Sequence, residues 1–206
     1  MELLITGALG HIGSYIIHDL VKIKKIKKII LLDNASSSKF NVLFGIKNKK
    51  FQYLFGDLRD IEFCKKIPKT KVVIHLASIT NAEKSFEIKS MLKNNNLGCF
   101  RNIVNYCEKN KSKLIHISST SVYGKQTNLV DETCEKKFLN PQSPYARIKI
   151  AEENLLKKNS NNLIYNTFRF GTIAGVSKGI RFHTAVNKFC FNAALEKKIE
   201  VYRTAL

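Results

Sequence analysis

Thr6-Gly7-Ala8-Leu9-Gly10-His11-Ile12-Gly13 is the stretch on which the reading of this chain turns. It lies between an apolar, strand-like run at 2–6 (ELLIT) and an amphipathic stretch at 11–24, so it reads as a strand-to-helix turn. In such a turn Gly7 permits the tight bend, Gly10 lets backbone approach a pyrophosphate, and Gly13 allows close helix–strand packing. The helix start at His11 and Ile12 would then offer N–H groups and a partial positive charge to phosphates. An ordinary strand-to-helix turn can carry the same glycines. The strand before and the helix after are the context that favours a dinucleotide.

Working outward, further strand candidates fall at 28–32, 51–55, 71–76, 113–118 and 162–169. Helix candidates lie between them at 59–66, 87–109 and 143–159, with a weaker one at 36–45. Short β-rich runs alternating with amphipathic stretches predict βαβ units and an α/β fold, a Rossmann-type doubly wound parallel sheet. Val72-Val73-Ile74 is apolar on both faces, as a sheet covered by helices requires. After Gly171 the texture changes to a Gly-containing stretch, a helix candidate at 182–196 and a short run at 199–203. The division expected is a cofactor domain at 1–170 and the start of an incomplete substrate-binding lobe at 171–206.

Asp33 ends the second strand, twenty residues beyond Gly13, with Asn34 beside it. A carboxylate there accepts hydrogen bonds from adenosine ribose hydroxyls and repels a 2′-phosphate. The next five residues contain no Arg or Lys to receive such a phosphate, so NAD is favoured over NADP.

Composition narrows the function classes. Hydrophobic residues at 44% and charged residues at 25% describe an ordinary globular protein. No apolar run approaches the roughly 20 residues that cross a bilayer, and the strand-like run directly after Met1 leaves no room for a signal peptide. The five cysteines (Cys64, Cys99, Cys107, Cys134, Cys190) show no metal-ligand spacing. Reduced cysteines, no metal and a cytoplasmic location are therefore expected. The net charge of +19 comes largely from lysines such as Lys22, Lys24, Lys25 and Lys27 at a helix end. They lack interleaved stacking aromatics, so a solvated surface is expected rather than nucleic-acid binding.

Further along stand Gly56-Asp57-Leu58-Arg59-Asp60, His75-Leu76-Ala77-Ser78, Asn95 three residues before Gly98, Ser118-Ser119-Thr120-Ser121, Tyr145-Ala146-Arg147-Ile148-Lys149 and Arg169-Phe170-Gly171-Thr172. With the glycine loop, and in this order, they resemble the extended short-chain dehydrogenase/reductase family, in particular its UDP-glucose 4-epimerase-like, NAD-dependent epimerases and dehydratases. The resemblance implies that Asp57 contacts the adenine amino group with Leu58 beside it. It also implies that Leu76, Ala77 and Ser78 run along the cofactor with Asn95 and Phe170, and that Lys149 holds the nicotinamide ribose. Asp60 reads instead as a helix-start residue.

Tyr145 and Lys149, four apart, share a helix face. A free tyrosine has a pKa near 10, and an adjacent ammonium favours the phenolate. Tyr145 is thus the expected general base, with Ser119 orienting a sugar hydroxyl while the carbon's hydride passes to NAD. Dehydratases of the family place acids just after the strand-five serine, whereas Thr120 and Ser121 stand there, which favours 4-epimerisation. The expected substrate is a nucleotide sugar, a UDP-sugar first, with Ser119, Thr172 and Asn187 on its side of the site. Relatives often dimerise through the helices corresponding to 87–109 and 143–159, which implies a homodimer. The alternatives are a sugar dehydratase or carbonyl reductase of the same family, or a noncatalytic dinucleotide-binding module.

Overall fold

Six short runs form six strands, and side-chain alternation decides which layer each residue enters. In the computed structural model, which describes residues 1–81, 84–127 and 129–200, the strands are β1 (Glu2–Thr6), β2 (Lys28–Asp33), β3 (Phe51–Phe55), β4 (Val72–His75), β5 (Lys113–Ser119) and β6 (Tyr165–Phe170). They form one sheet in the order β3-β2-β1-β4-β5-β6, every neighbouring pair parallel. Leu4, Ile30, Leu32, Val73 and Leu114 enter one core. Leu3, Ile5, Ile29 and Leu31 enter the core on the opposite face. Both faces are covered, which is why β1 and β2 read as continuous apolar runs.

The helices bring the matching apolar faces. α1 (His11–Leu20) buries Ile17 in the second core. α4 (Gly98–Asn110) contributes Phe100, Ile103, Val104 and Cys107 to the first, and α5 (Pro144–Lys158) contributes Leu156. Ser143 caps α5 by accepting from Ala146 N at 3.1 Å, and Pro144 occupies the first turn, where its missing N–H costs nothing. The remaining helices are α2 (Ile61–Lys65), α3 (Lys89–Leu92) and α6 (Ala185–Leu195). Asp60 caps α2, accepting from Glu62 N at 2.8 Å and Phe63 N at 3.2 Å.

Three elements depart from the sequence reading. The helix expected at 36–45 is a single 3-10 turn, Phe40–Leu43, because the chain before it bends through left-handed Ala35 (φ 55°) and Ser38 (φ 52°). The helix expected at 87–109 is interrupted by a π-helical turn, Lys93–Leu97, between α3 and α4. α1 ends at Leu20, leaving Lys22, Lys24, Lys25 and Lys27 on an exposed loop. The short run expected at 199–203 lies in part outside the described residues. Among the described residues no helix is long and apolar enough to cross a membrane.

The strand order fixes where a ligand can sit. From β1 the chain builds outward to β2 and β3, then returns to the other side of β1 with β4. Loops leaving β1 and β4 therefore diverge, and a crevice opens at the carboxyl ends of those strands.

Candidate active site

That crevice is a cavity of about 910 Å³ whose walls come from the ends of β1, β2, β4, β5 and β6. The glycine loop forms one wall. Gly7 adopts φ +67°, and a methyl group there would stand 2.6 Å from Ala77 N, so the position tolerates no side chain. A methyl group on Gly10 would meet only its own loop, 3.1 Å from Gly7 O. A methyl group on Gly13 would stand 2.6 Å from Ala8 O and 2.7 Å from Gly7 O, so the close approach it allows is to the loop rather than to a strand as expected. His11 and Ile12 also line the cavity. Burial, reinforced by the charges of Arg181 and Lys39, holds the His11 pKa below the usual imidazole value.

Thr6, at the end of β1, ties this wall to β4. Its hydroxyl oxygen accepts from Leu76 N at 3.2 Å and Ala77 N at 3.3 Å, and lies 2.8 Å from His75 Nδ1. With the oxygen so engaged, the hydroxyl proton goes to Nδ1, and His75 is a neutral imidazole. Burial drives its pKa down to about 3. The β4 end thus presents Leu76, Ala77 and Ser78 to the cavity in a fixed arrangement.

The other end of the cavity is acidic. Asp33 accepts from Leu9 N at 3.0 Å through one oxygen and from Ala35 N at 2.8 Å through the other. It pins the glycine loop, and its remaining lone pairs face a cavity that Asn34 also lines. Asp57 takes a two-pronged contact from Arg59, with Nη2 at 2.6 Å and Nε at 3.1 Å from one carboxylate oxygen and Nε at 3.0 Å from the other. The Arg59 hydrogen bond lowers the Asp57 pKa to about 2. Leu58 packs beside it, 3% exposed.

The π-helical turn has a local purpose. It separates two adjacent asparagines by direction: Asn95 lines the cavity, while Asn96 is buried. Asn96 accepts from Ile79 N at 2.8 Å and donates to Ile79 O at 2.9 Å, fixing the chain beyond β4.

Ser119, Tyr145 and Lys149 meet at the β5 end. Ser119 Oγ accepts from Ser121 N at 3.2 Å and from Ser121 Oγ at 2.9 Å, which leaves its own proton to donate. Lys149 is buried, with its ammonium 5.8 Å from the Tyr145 ring centroid. It donates to Ile117 O at 3.0 Å and to Glu152 Oε2 at 2.8 Å. Burial pushes the Lys149 pKa down, but the charges of Glu152 and Tyr145 more than offset it, and the net shift is upward. Glu153, the next residue, faces elsewhere. It receives Arg169 through both oxygens, at 2.9 and 2.8 Å, and Ser118 Oγ at 2.6 Å. Ser118 also lines the cavity, but its hydroxyl is committed to Glu153, whereas Ser119 keeps its proton to donate.

Several lining residues escape a sequence reading. Lys39, six residues beyond Asp33, donates to Gly179 O at 2.7 Å and Ile180 O at 2.9 Å, so its ammonium is committed to backbone. Gly179 N in turn donates to Ser14 Oγ at 2.8 Å, drawing the segment after β6 over the glycine loop. That segment delivers Arg181 to the cavity, where it donates to Thr80 Oγ1 and where burial depresses its pKa. Phe170 and Thr172 line the cavity as well. Asn187, placed on the substrate side by the sequence, is instead a buried clamp. Its Oδ1 accepts from Gly175 N at 3.0 Å and its Nδ2 donates to Arg181 O at 2.8 Å, and it does not line the cavity. Burial lifts the cavity-lining Cys99 thiol to about 12, far from a reactive thiolate.

Comparison with known proteins agrees with this geometry. Residues 3–204 match the NAD dependent epimerase/dehydratase family. The chain is 30% identical over 187 residues to a dTDP-D-glucose 4,6-dehydratase of Dictyostelium discoideum, covering 84% of this chain and 42% of the relative. It is 30% identical over 164 residues to a UDP-glucose 4-epimerase of Yersinia enterocolitica, covering 76% and 48%. Among solved structures, a UDP-glucuronic acid 4-epimerase from Bacillus cereus, in complex with UDP-glucuronic acid and NAD, superposes with a TM-score of 0.85 at 27% identity, covering 96% of this chain and 64% of that one. A UDP-N-acetylglucosamine 4-epimerase from Methanobrevibacter ruminantium M1 gives 0.84 at 27% identity, covering 98% and 64%. The chain thus spans about half the length of those two curated relatives.

Proposed function

The chain belongs to the NAD dependent epimerase/dehydratase family, and from that premise we propose that it is the cofactor-bearing part of a nucleotide-sugar 4-epimerase. The cavity suits the dinucleotide on its own terms. Glycine backbone and Arg181 offer a cradle for a diphosphate, Asp33 offers a carboxylate for ribose hydroxyls, and the two lie in one continuous space. When bound, NAD supplies the hydride acceptor.

All other demands fall on the chain. A carbinol that becomes a ketone gives up a hydride and a hydroxyl proton, and Tyr145 takes the proton. Ser119 donates to the hydroxyl oxygen and aims it at Tyr145, and Lys149 supplies positive charge beside the forming phenolate. For 4-epimerisation the keto-sugar turns over and the same hydride and proton return to its other face. No second acid or base is needed. The observation that carries this choice is the pair after Ser119: Thr120 contacts Phe170 O at 3.4 Å and Ser121 contacts Ser119, and neither is a carboxylate that could assist elimination.

Residues 1–170 form the cofactor domain in this reading, and 171 onward begins the substrate lobe with Thr172 at its entrance. A UDP-sugar is the first candidate substrate. A homodimer through α4 and α5 belongs to the same reading, although the outer face of α4 carries exposed Arg101, Asn105 and Lys109. Incubation with NAD and a panel of UDP- and dTDP-sugars tests the assignment. C4 epimers support it, and a 4-keto-6-deoxy product converts it to a dehydratase. Net accumulation of NADH, the sign of a carbonyl reductase run in reverse, converts it to a reductase, and NAD binding without turnover leaves a binding module.

A further inference from the structure

Beneath Tyr145 lies a row of buried polar groups that proton transfer does not call on. Thr167 Oγ1 is 3.3 Å from His116 Nδ1, and His116 Nε2 is 3.0 Å from Glu152 Oε2. The same carboxylate oxygen accepts from Lys149 at 2.8 Å. The side chains of His116, Glu152 and Lys149 are 0, 1 and 4% exposed. A carboxylate only accepts, so the proton on His116 Nε2 is fixed. Burial keeps the His116 pKa below its ordinary value although Glu152 acts to raise it, and His116 is neutral.

The charges facing this spot can be summed element by element. On α5, Lys149 is positive and Glu152 negative. Glu153 is negative but is matched by Arg169 of β6. His116 of β5 and His75 of β4 are neutral. Arg181, from the segment after β6, adds one positive charge on the cavity wall. Tyr145 and Glu153 also act on Lys149, but among the described residues Glu152 is the carboxylate in direct contact with its ammonium.

The reaction assigned above brings a further cation to the same place. Hydride and proton leave one carbinol, so the hydride acceptor must lie within contact of the carbon whose hydroxyl meets Tyr145. The oxidised nicotinamide ring is positive and the reduced ring is neutral. We propose that Glu152 is a positioning residue that both anchors the Lys149 ammonium against β5 and balances its charge, so that the cavity accepts the oxidised cofactor beside it. This rests on NAD being the cofactor of the cavity.

The test is equilibrium binding of NAD and of NADH to the whole chain, by calorimetry or NADH fluorescence, without substrate. Glu152→Gln removes the charge but keeps the shape, and His116 can exchange tautomers to match the amide. The expected result is a ratio of NAD to NADH dissociation constants raised roughly tenfold, as for an uncompensated charge several ångströms away in a partly desolvated site. Glu152→Asp retains the charge and should return the ratio most of the way. If Glu152→Gln does not fold, Glu152→Ala leaves space for water around Lys149 and carries the same expectation. Equal weakening of both cofactors, or no change, overturns the charge-balancing role and leaves a structural one. Failure of the unaltered chain to bind either cofactor overturns the cofactor assignment and this proposal with it.

Discussion

The two halves of the cavity are built by different means. On the β1–β2 side the recognition surface is backbone, with Gly7 bent to a positive φ, Asp33 holding Leu9 N, and Thr6 holding the start of the loop after β4. On the β5–α5–β6 side it is a set of buried charges, Lys149–Glu152 and Glu153–Arg169, braced by His116 and Ser118. The glycine backbone carries no charge of its own to titrate, while buried ion pairs set the reactivity of the groups above them. Under the proposed function the two halves meet at Lys149 and Glu152, and substitutions on either side separate their contributions.

The sharpest separation comes from Tyr145→Phe. Turnover should fall by about 10² to 10⁴ with little change in NAD affinity, and steady-state rates beside a binding isotherm check both halves of that statement. Unchanged turnover removes Tyr145 from the chemistry. Glu153→Ala should follow in size. It strands Arg169 in a largely buried site and is expected to cost about 3–5 kcal/mol in urea unfolding, a loss of fold rather than of a reacting group. Gly7→Val attacks the opposite half. The positive φ and the contact with Ala77 N force the loop to move, so NAD affinity should drop by more than about tenfold, with roughly 1–3 kcal/mol of stability lost. Retained affinity would show that the loop is not the phosphate cradle.

Acid should expose the charge-built half gently and progressively. Burial raises the pKa values of Glu152 and Glu153, but Lys149 and His116 for the first, and Arg169 and Ser118 for the second, bring both below the ordinary glutamate value of 4.5. A carboxyl whose folded pKa is depressed contributes stability that is fully present above its unfolded pKa. That contribution is lost as the pH falls through the folded value. Melting temperature should therefore decline below about pH 4.5, and Glu153→Gln should flatten the decline.

Legibility in the sequence follows the same division. Glycine spacing reports a backbone path directly and apolar runs report strands, so the loop, Asp33 and the strand positions of the cofactor half could be read from letters, while the strand order came from the fold. The three consecutive asparagines 94–96 look alike, and the helix face that gives Asn95 to the cavity and Asn96 to Ile79 is set by packing against the chain beyond β4. Glu152 and Glu153 are likewise adjacent identical letters. Their spacing of three and four from Lys149 was a usable signal, since one of the two must share its face, but the partners on β5 and β6 come from the fold. Arg181 lies in a stretch without periodicity, so nothing local announced it. Asn187 shows that a polar residue near the expected substrate side can as well serve the backbone around it.

The hydrogen bond from Gly179 to Ser14 joins residues 165 positions apart. A ribosome delivers Ser14 early and Gly179 near the end of the described chain. The βα unit carrying the glycine loop can form as soon as its neighbours emerge, yet its outer wall is missing until the segment around Gly179 arrives. Newly made chains should thus pass through a stage in which the sheet is assembled and the cofactor cradle is still open to water.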